Sequence, residues 1–157
     1  MNIFKRKIYN KLLEWKNCSN GTRGLLLEGA RRVGKSTIVK EFAENEYRSY
    51  IFIDFDEEGE EIRKIFDAGF RDLDSLFRSL SLYYHTELFP RQSLIVFDEV
   101  QRFPRAHEGR KYLVKDGRYD FIETGSLITL KLLSKGFTNP SEVDYLSRYP
   151  MDFEEFL

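Results

Sequence analysis

The chain has 157 residues and a formal net charge of −1, with 41% hydrophobic and 32% charged residues, a balance that fits one well-filled core and excludes a disordered or fibrous chain. The near-zero charge excludes a global field that would draw in nucleic acid; a local patch stays open, since the first 48 residues carry 11 Lys and Arg against 5 acids. Cys18 is the single cysteine, which excludes an intrachain disulfide and a cysteine-rich metal site, and no stretch approaches a membrane-spanning apolar run, so the expectation is a soluble cytoplasmic protein with no membrane partner.

In chain order, Phe4, Ile8, Leu12 and Trp15 recur at spacings of four, four and three, with Leu13 widening the stripe. This is an amphipathic helix, and residues 1–20 read as a helical unit packed on a core formed by residues 21–157. "NCSNGTRG" reads as a loop, and "LLLEG" as a buried strand too short for a helix and ended by glycine. "KSTIVKEFAENE" places Ile38, Val39, Phe42 and Ala43 on one face of a helix ending near Asn45, and "SYIFIDFDE" gives a second strand. The acidic run at 56–61 reads as a solvated turn. Residues 61–89 are mostly helical, broken at Gly69, "QSLIVFDE" is a third strand and "YDFIETGS" a fourth. "ITLKLLSKG" reads as a short helix, and "VDYLSRYPMDF" begins as a fifth strand that Pro150 confines to an end or edge. Such alternation predicts a three-layer α/β/α fold on a mainly parallel sheet.

Between the first strand and the second helix lies Gly29-Ala30-Arg31-Arg32-Val33-Gly34-Lys35-Ser36, a full match to the phosphate-binding pattern G-x-x-x-x-G-K-[ST] in its proper strand–loop–helix setting. The glycines free the backbone so that successive N–H groups turn inward as an anion nest at a helix N-terminus. Lys35 supplies a point charge for the β and γ phosphates, the Ser36 hydroxyl is a natural Mg²⁺ ligand, and Thr37 caps the helix or touches the α phosphate. Arg31 and Arg32 stand at positions that usually face solvent or a partner.

The third strand delivers Asp98 and Glu99 at its C-terminal end, where open α/β sheets bind ligands. Asp98 is the expected second Mg²⁺ contact and Glu99 the group that polarises the attacking water. The base-recognition pattern Asn-Lys-x-Asp of guanine-specific switches is absent, since Asn10-Lys11 is followed by Leu12 and Leu13, so GTP is disfavoured. After the fourth strand, Ser126 is preferred to Thr124 as a hydroxyl that senses the γ phosphate, although it serves equally as a helix N-cap. Asp54 is either a Mg²⁺ neighbour or a turn residue, and His85 and His107 are not spaced for zinc.

Together, "LLLEGARRVGKST", "SYIFIDFDE", "SLIVFDEVQRFPR", "FIETGSL" and "YPMDFEEFL" resemble the prokaryotic AAA-type P-loop ATPases that join an N-terminal ATPase domain to a C-terminal domain of unknown function. The resemblance implies a five-strand sheet of order 5-1-4-3-2, with Gly29 to Thr37 as Walker A, Asp98 and Glu99 as Walker B, and Ser126 near the first sensor position. It further implies Mg²⁺-dependent hydrolysis of ATP to ADP, weak in this stretch alone, and a lid and C-terminal domain beyond "PMDFEEFL". Relatives suggest links to DNA, mobile elements or signalling-type switching, and a homo-oligomer is the arrangement in which an arginine would act on a neighbouring subunit's nucleotide. Where many relatives carry Gly-Arg before the fifth strand this chain has Ser141-Glu142, so Arg102, Arg105 and Arg148 remain the candidates for an arginine finger. The alternative function is a nucleotide-dependent DNA- or protein-binding switch with little hydrolysis; a small-molecule kinase is a third reading.

Overall fold

Short apolar runs rich in Leu, Ile, Val and Phe are buried on both faces when helices cover a parallel sheet on either side. Four such runs in this chain become β1 (Gly24–Glu28), β2 (Ser49–Asp54), β3 (Ser93–Asp98) and β4 (Asp120–Gly125). The computed structural model describes residues 3–28, 34–125 and 143–146. Among the described residues the strand pairs are parallel: β2 with β3, β3 with β4, β4 with β1, and β1 with a short β5 (Val143–Leu146), in the order β2-β3-β4-β1-β5.

Alternation along the strands divides the core in two. Leu25, Leu27, Leu94, Val96 and Ile122 face one layer, formed by α1 (Ile3–Ser19) and α2 (Lys35–Glu46), where they meet Ile8, Leu12, Trp15, Ile38, Val39 and Phe42. Leu26, Ile51, Ile53, Ile95, Phe97 and Phe121 face the opposite layer of α3 (Glu60–Asp67), α4 (Leu73–Tyr84) and α5 (Pro104–Asp116). On that side Phe66 is fully buried with its ring 5.4 Å from Phe97 and 5.9 Å from both Phe55 and Phe103. Burying one such side chain contributes about 1.5–3 kcal/mol.

Several local expectations need correction. α1 runs on through Asn17, Cys18 and Ser19, and the chain reverses only at Asn20 and Gly21, both at positive φ; a loop-forming composition gives way to one more turn of helix, whose last residue, Ser19, is buried. The acidic run is not all solvated turn. Glu60 and Glu61 form the first turn of α3, where carboxylates meet the positive end of the helix dipole, and Glu58 accepts hydrogen bonds from the Tyr83 and Tyr84 hydroxyls at 3.1 and 3.0 Å. Gly69, at φ +90, lies in the break between α3 and α4.

α5 has no counterpart in the sequence reading. Pro104 opens it and Gly117, in the left-handed conformation, closes it, the usual asymmetry of helix ends. It lies so close to the segment joining α3 and α4 that a Cβ on Gly109 would run into the Phe70 ring. The short helix expected from "ITLKLLSKG" lies outside the described residues.

Candidate functional site

The site forms where β3 and β4 end beneath the first turn of α2. Alternation puts Asp98 on the same face as Leu94 and Val96, and Thr124 on the same face as Ile122, so both look toward α2. Gly34 stands at the N-cap of α2 in the left-handed conformation, φ 83 and ψ 11, with no side-chain cap, a backbone state that a Cβ would strain. Thr37 does not cap the helix. It is the third helical residue and is exposed, because the helix already begins at Lys35.

From that turn, Ser36 Oγ donates to Asp98 Oδ1 at 2.8 Å and Lys35 Nζ reaches Glu99 Oε1 at 3.1 Å. Thr124 Oγ1 donates to the same Asp98 oxygen at 2.6 Å and accepts the Glu99 backbone N–H at 3.1 Å. Gln101 Nε2 donates to Glu99 Oε2 at 2.6 Å. Lys35 is 5% exposed, Asp98 3%, Glu99 7% and Thr124 0%, so these charges interact in a poorly hydrated setting where each contact counts for more than at the surface.

Burial raises the pKa of the Asp98 carboxyl; the Thr124 and Ser36 hydrogen bonds pull it down, and the negative charges of Asp54 and Glu99 push it up again. Glu99 has φ 56 and ψ 49, a conformation that costs a non-glycine residue about 1–2 kcal/mol. It turns the chain directly from β3 into the 3₁₀ turn Val100–Arg102, and Thr124 holds its N–H.

Asp54 stands opposite Asp98 in register, and its Oδ1 accepts the Asp56 N–H at 2.9 Å. It therefore closes the turn after β2 and adds negative charge near Asp98. The donor set suits Mg²⁺: Ser36 Oγ and Asp98 Oδ1 are hard oxygen ligands 2.8 Å apart, close to the spacing of about 2.9 Å between adjacent ligands of an octahedral ion bound at 2.0–2.1 Å. Among the described residues no cluster of three or more His, Cys, Asp or Glu could hold a metal by itself.

Thr124, ranked below Ser126 from sequence, is the residue that joins both halves of the site. Strand alternation was the available signal, since Thr124 follows Ile122 on the α2 face. Residues Gly29, Ala30, Arg31, Arg32 and Val33 and the sensor candidate Ser126 lie outside the described residues. So do Ser141, Glu142, Arg148 and the final segment. Arg102 Nε pairs with Asp56 at 3.0 Å, while Arg105 pairs with Asp67 at 3.5 Å and donates to its carbonyl at 3.1 Å. His85 ends α4 in the left-handed conformation. His107 Nδ1 lies 2.6 Å from Glu123 Oε2 under α5, on the opposite face of the sheet from Asp98. Burial raises the Glu123 pKa, against the hydrogen bond and charge of His107 and the charge of Arg110.

Comparison with known proteins adds to this geometry. A family model described as an AAA domain matches residues 22–157. No curated protein matches the sequence. Among solved structures, the Aeropyrum pernix ORC1 protein in complex with DNA is similar at 10% identity and a TM-score of 0.52, covering 98% of this chain and 47% of that one. C. elegans PCH-2 matches at 14% identity and a TM-score of 0.46, covering 91% of this chain and 42% of that one. The chain thus spans less than half the length of either structure, and the ORC1 likeness is one of fold. Among the described residues no helix is long and apolar enough to cross a membrane.

Proposed function

The chain belongs to the AAA-domain family, and from that premise we propose that it binds ATP with Mg²⁺ and hydrolyses it to ADP and phosphate, passing the nucleotide state to a C-terminal domain or partner. The observation that carries this reading is the meeting of two segments more than 60 residues apart: Ser36 on Asp98 at 2.8 Å and Lys35 on Glu99 at 3.1 Å. A strand-to-helix turn whose glycines served geometry alone would have no reason to bury a lysine against the Glu99 carboxylate.

In the proposed reaction the backbone amides from Gly29 to Ser36 bind the triphosphate at the N-terminus of α2. Lys35 turns its ammonium to the β and γ phosphates. Ser36 and Asp98 would hold Mg²⁺, which neutralises charge on the phosphoryl oxygens when bound. Glu99 accepts a proton from water as the water oxygen bonds to the γ phosphorus and the bond from that phosphorus to the ADP oxygen breaks. Ser126 is assigned to the γ-phosphate side of the site. Arg102 and Arg105 already pair with Asp56 and Asp67, so either would exchange that partner to act on a nucleotide, in this chain or in a neighbouring copy.

The test is phosphate release from ATP with Mg²⁺, compared between the wild type and Glu99→Gln. Turnover is expected to fall by about 100-fold or more while nucleotide binding persists. Equal turnover in the two proteins would remove Glu99 as the base. Negligible phosphate release by a wild type that binds ATP would favour a second reading, in which nucleotide occupancy switches binding to DNA or protein with little hydrolysis. The exposed Arg6, Lys7 and Lys11 on α1 favour that alternative, and DNA is the partner in the ORC1 structure.

A further inference from the structure

A carboxylate that is to take a proton from water must be aimed, and Glu99 is aimed from three sides. Its backbone N–H is held by Thr124, its Oε1 by Lys35 and its Oε2 by Gln101. The Lys35 hold is shared. On the hydrolytic reading above, on which this inference rests, the same ammonium is needed by the phosphates, so its grip on Glu99 weakens when nucleotide binds. The Gln101 hold has no such competitor.

Gln101 sits in the 3₁₀ turn after β3, a segment fixed at both ends. Arg102 N–H donates to the Glu99 carbonyl and Phe103 N–H to the Val100 carbonyl, each at 3.0 Å, and Val100 and Phe103 are anchored in the core. The chemistry of the pair sets the orientation of the amide: only its NH₂ end can face an ionised carboxylate at 2.6 Å. Its other end, Oε1, is buried and accepts no hydrogen bond from the described residues. A glutamine placed for stability alone would be expected to satisfy both ends, because a buried carbonyl without a donor is costly. Among the described residues this one leaves its acceptor unused and keeps its donor on Glu99.

We infer that Gln101 is a positioning residue for the attack on ATP: its Nε2 keeps the Glu99 carboxylate directed at the attacking water after Lys35 turns to the phosphates. Gln101 touches neither nucleotide nor metal. It acts through Glu99, so its removal lowers kcat and leaves ATP affinity in place.

The experiment measures phosphate release, ATP affinity and the thermal midpoint for the full chain as wild type, Gln101→Met, Glu99→Gln and the double variant. Methionine keeps the length and shape of glutamine and removes the donor. Gln101→Met is expected to lower kcat about tenfold, the loss of one charge-assisted hydrogen bond, with ATP affinity unchanged. In the Glu99→Gln background the same change is expected to add nothing, because residues acting as one unit are not additive. Gln101→Glu, which is polar and of similar length but places an acceptor against Glu99, is the second variant should methionine fail to fold, and it is expected to lose at least as much. A thermal midpoint that falls while kcat holds at the wild-type value overturns the inference in favour of a structural glutamine. A further tenfold loss in the double variant overturns it as well, since Gln101 would then act other than through Glu99. Wild-type protein that binds ATP without releasing phosphate overturns the hydrolytic reading and this inference with it, whereas normal wild-type turnover matched by Gln101→Met overturns this inference alone.

Discussion

The Thr124 hydroxyl has two obligations in a place closed to water. It donates to Asp98 Oδ1 and accepts the N–H of Glu99, whose left-handed backbone leaves that N–H no strand partner. Replacing Thr124 by valine keeps the shape and removes both bonds, leaving a buried N–H unsatisfied and the raised pKa of Asp98 without one of the two hydrogen bonds that lower it. Unfolding by denaturant is expected to show a loss of about 1–3 kcal/mol, and Thr124→Ser is expected to restore most of it. Valine as stable as threonine would mean that the hydroxyl is incidental. Serine and threonine are common in strand-to-loop turns, so the residue type at 124 carried little information. What carried it was the parity of the strand, which fixes the face that residue 124 presents.

At the scale of elements, α2 is held at both ends. Its first turn meets β3 through Ser36 and Lys35, and its C-cap residue Tyr47 donates to Asp120 Oδ2 at 2.5 Å, where β4 begins. Arg91 pairs with the other oxygen of Asp120 at 2.6 Å. Burial first, then the Asp120 charge, raises the Tyr47 pKa far above its ordinary value, so the hydroxyl remains a donor throughout the working pH range. Tyr47→Phe is expected to cost about 1–3 kcal/mol of stability, measured by thermal or denaturant unfolding, because a buried carboxylate oxygen loses its donor; no change would show that Arg91 alone suffices. The elements legible in the sequence were those with one clear period: the stripe of α1, the apolar runs of β1 to β4, and α2 behind its glycine loop. α5 was not, because its buried face includes His107, Gly109 and Arg110 beside Ala106, Leu113 and Val114. A buried polar pair, His107 with Glu123 at 2.6 Å, replaces apolar contacts there and erases the hydrophobic period. The acidic run misled for a related reason: its composition said solvent, but the dipole of α3 and the hydroxyls of Tyr83 and Tyr84 give three of its carboxylates local roles.

For the whole molecule, the two cores on either side of the sheet have different work. The layer of α1 and α2 brings the first turn of α2, the proposed phosphate contact, to the ends of β3 and β4, and the layer of α3, α4 and α5 anchors the 3₁₀ turn that carries Gln101. The position of the site was readable because two motifs, a glycine loop before a helix and paired carboxylates after a strand, are each expected at the same end of a parallel sheet. How Glu99 is held was not readable, since it depends on a backbone conformation and on partners from three separate segments. The central claim is that the α2 N-terminus and the end of β3 form one ATP site, and calorimetric titration of the chain with ATP and Mg²⁺, wild type against Lys35→Ala, tests it most directly. Saturable binding by the wild type is expected, weakened about 100-fold, roughly 2.7 kcal/mol, in a Lys35→Ala protein that still unfolds cooperatively; equal affinity in the two, or no binding by a folded wild type, would contradict it.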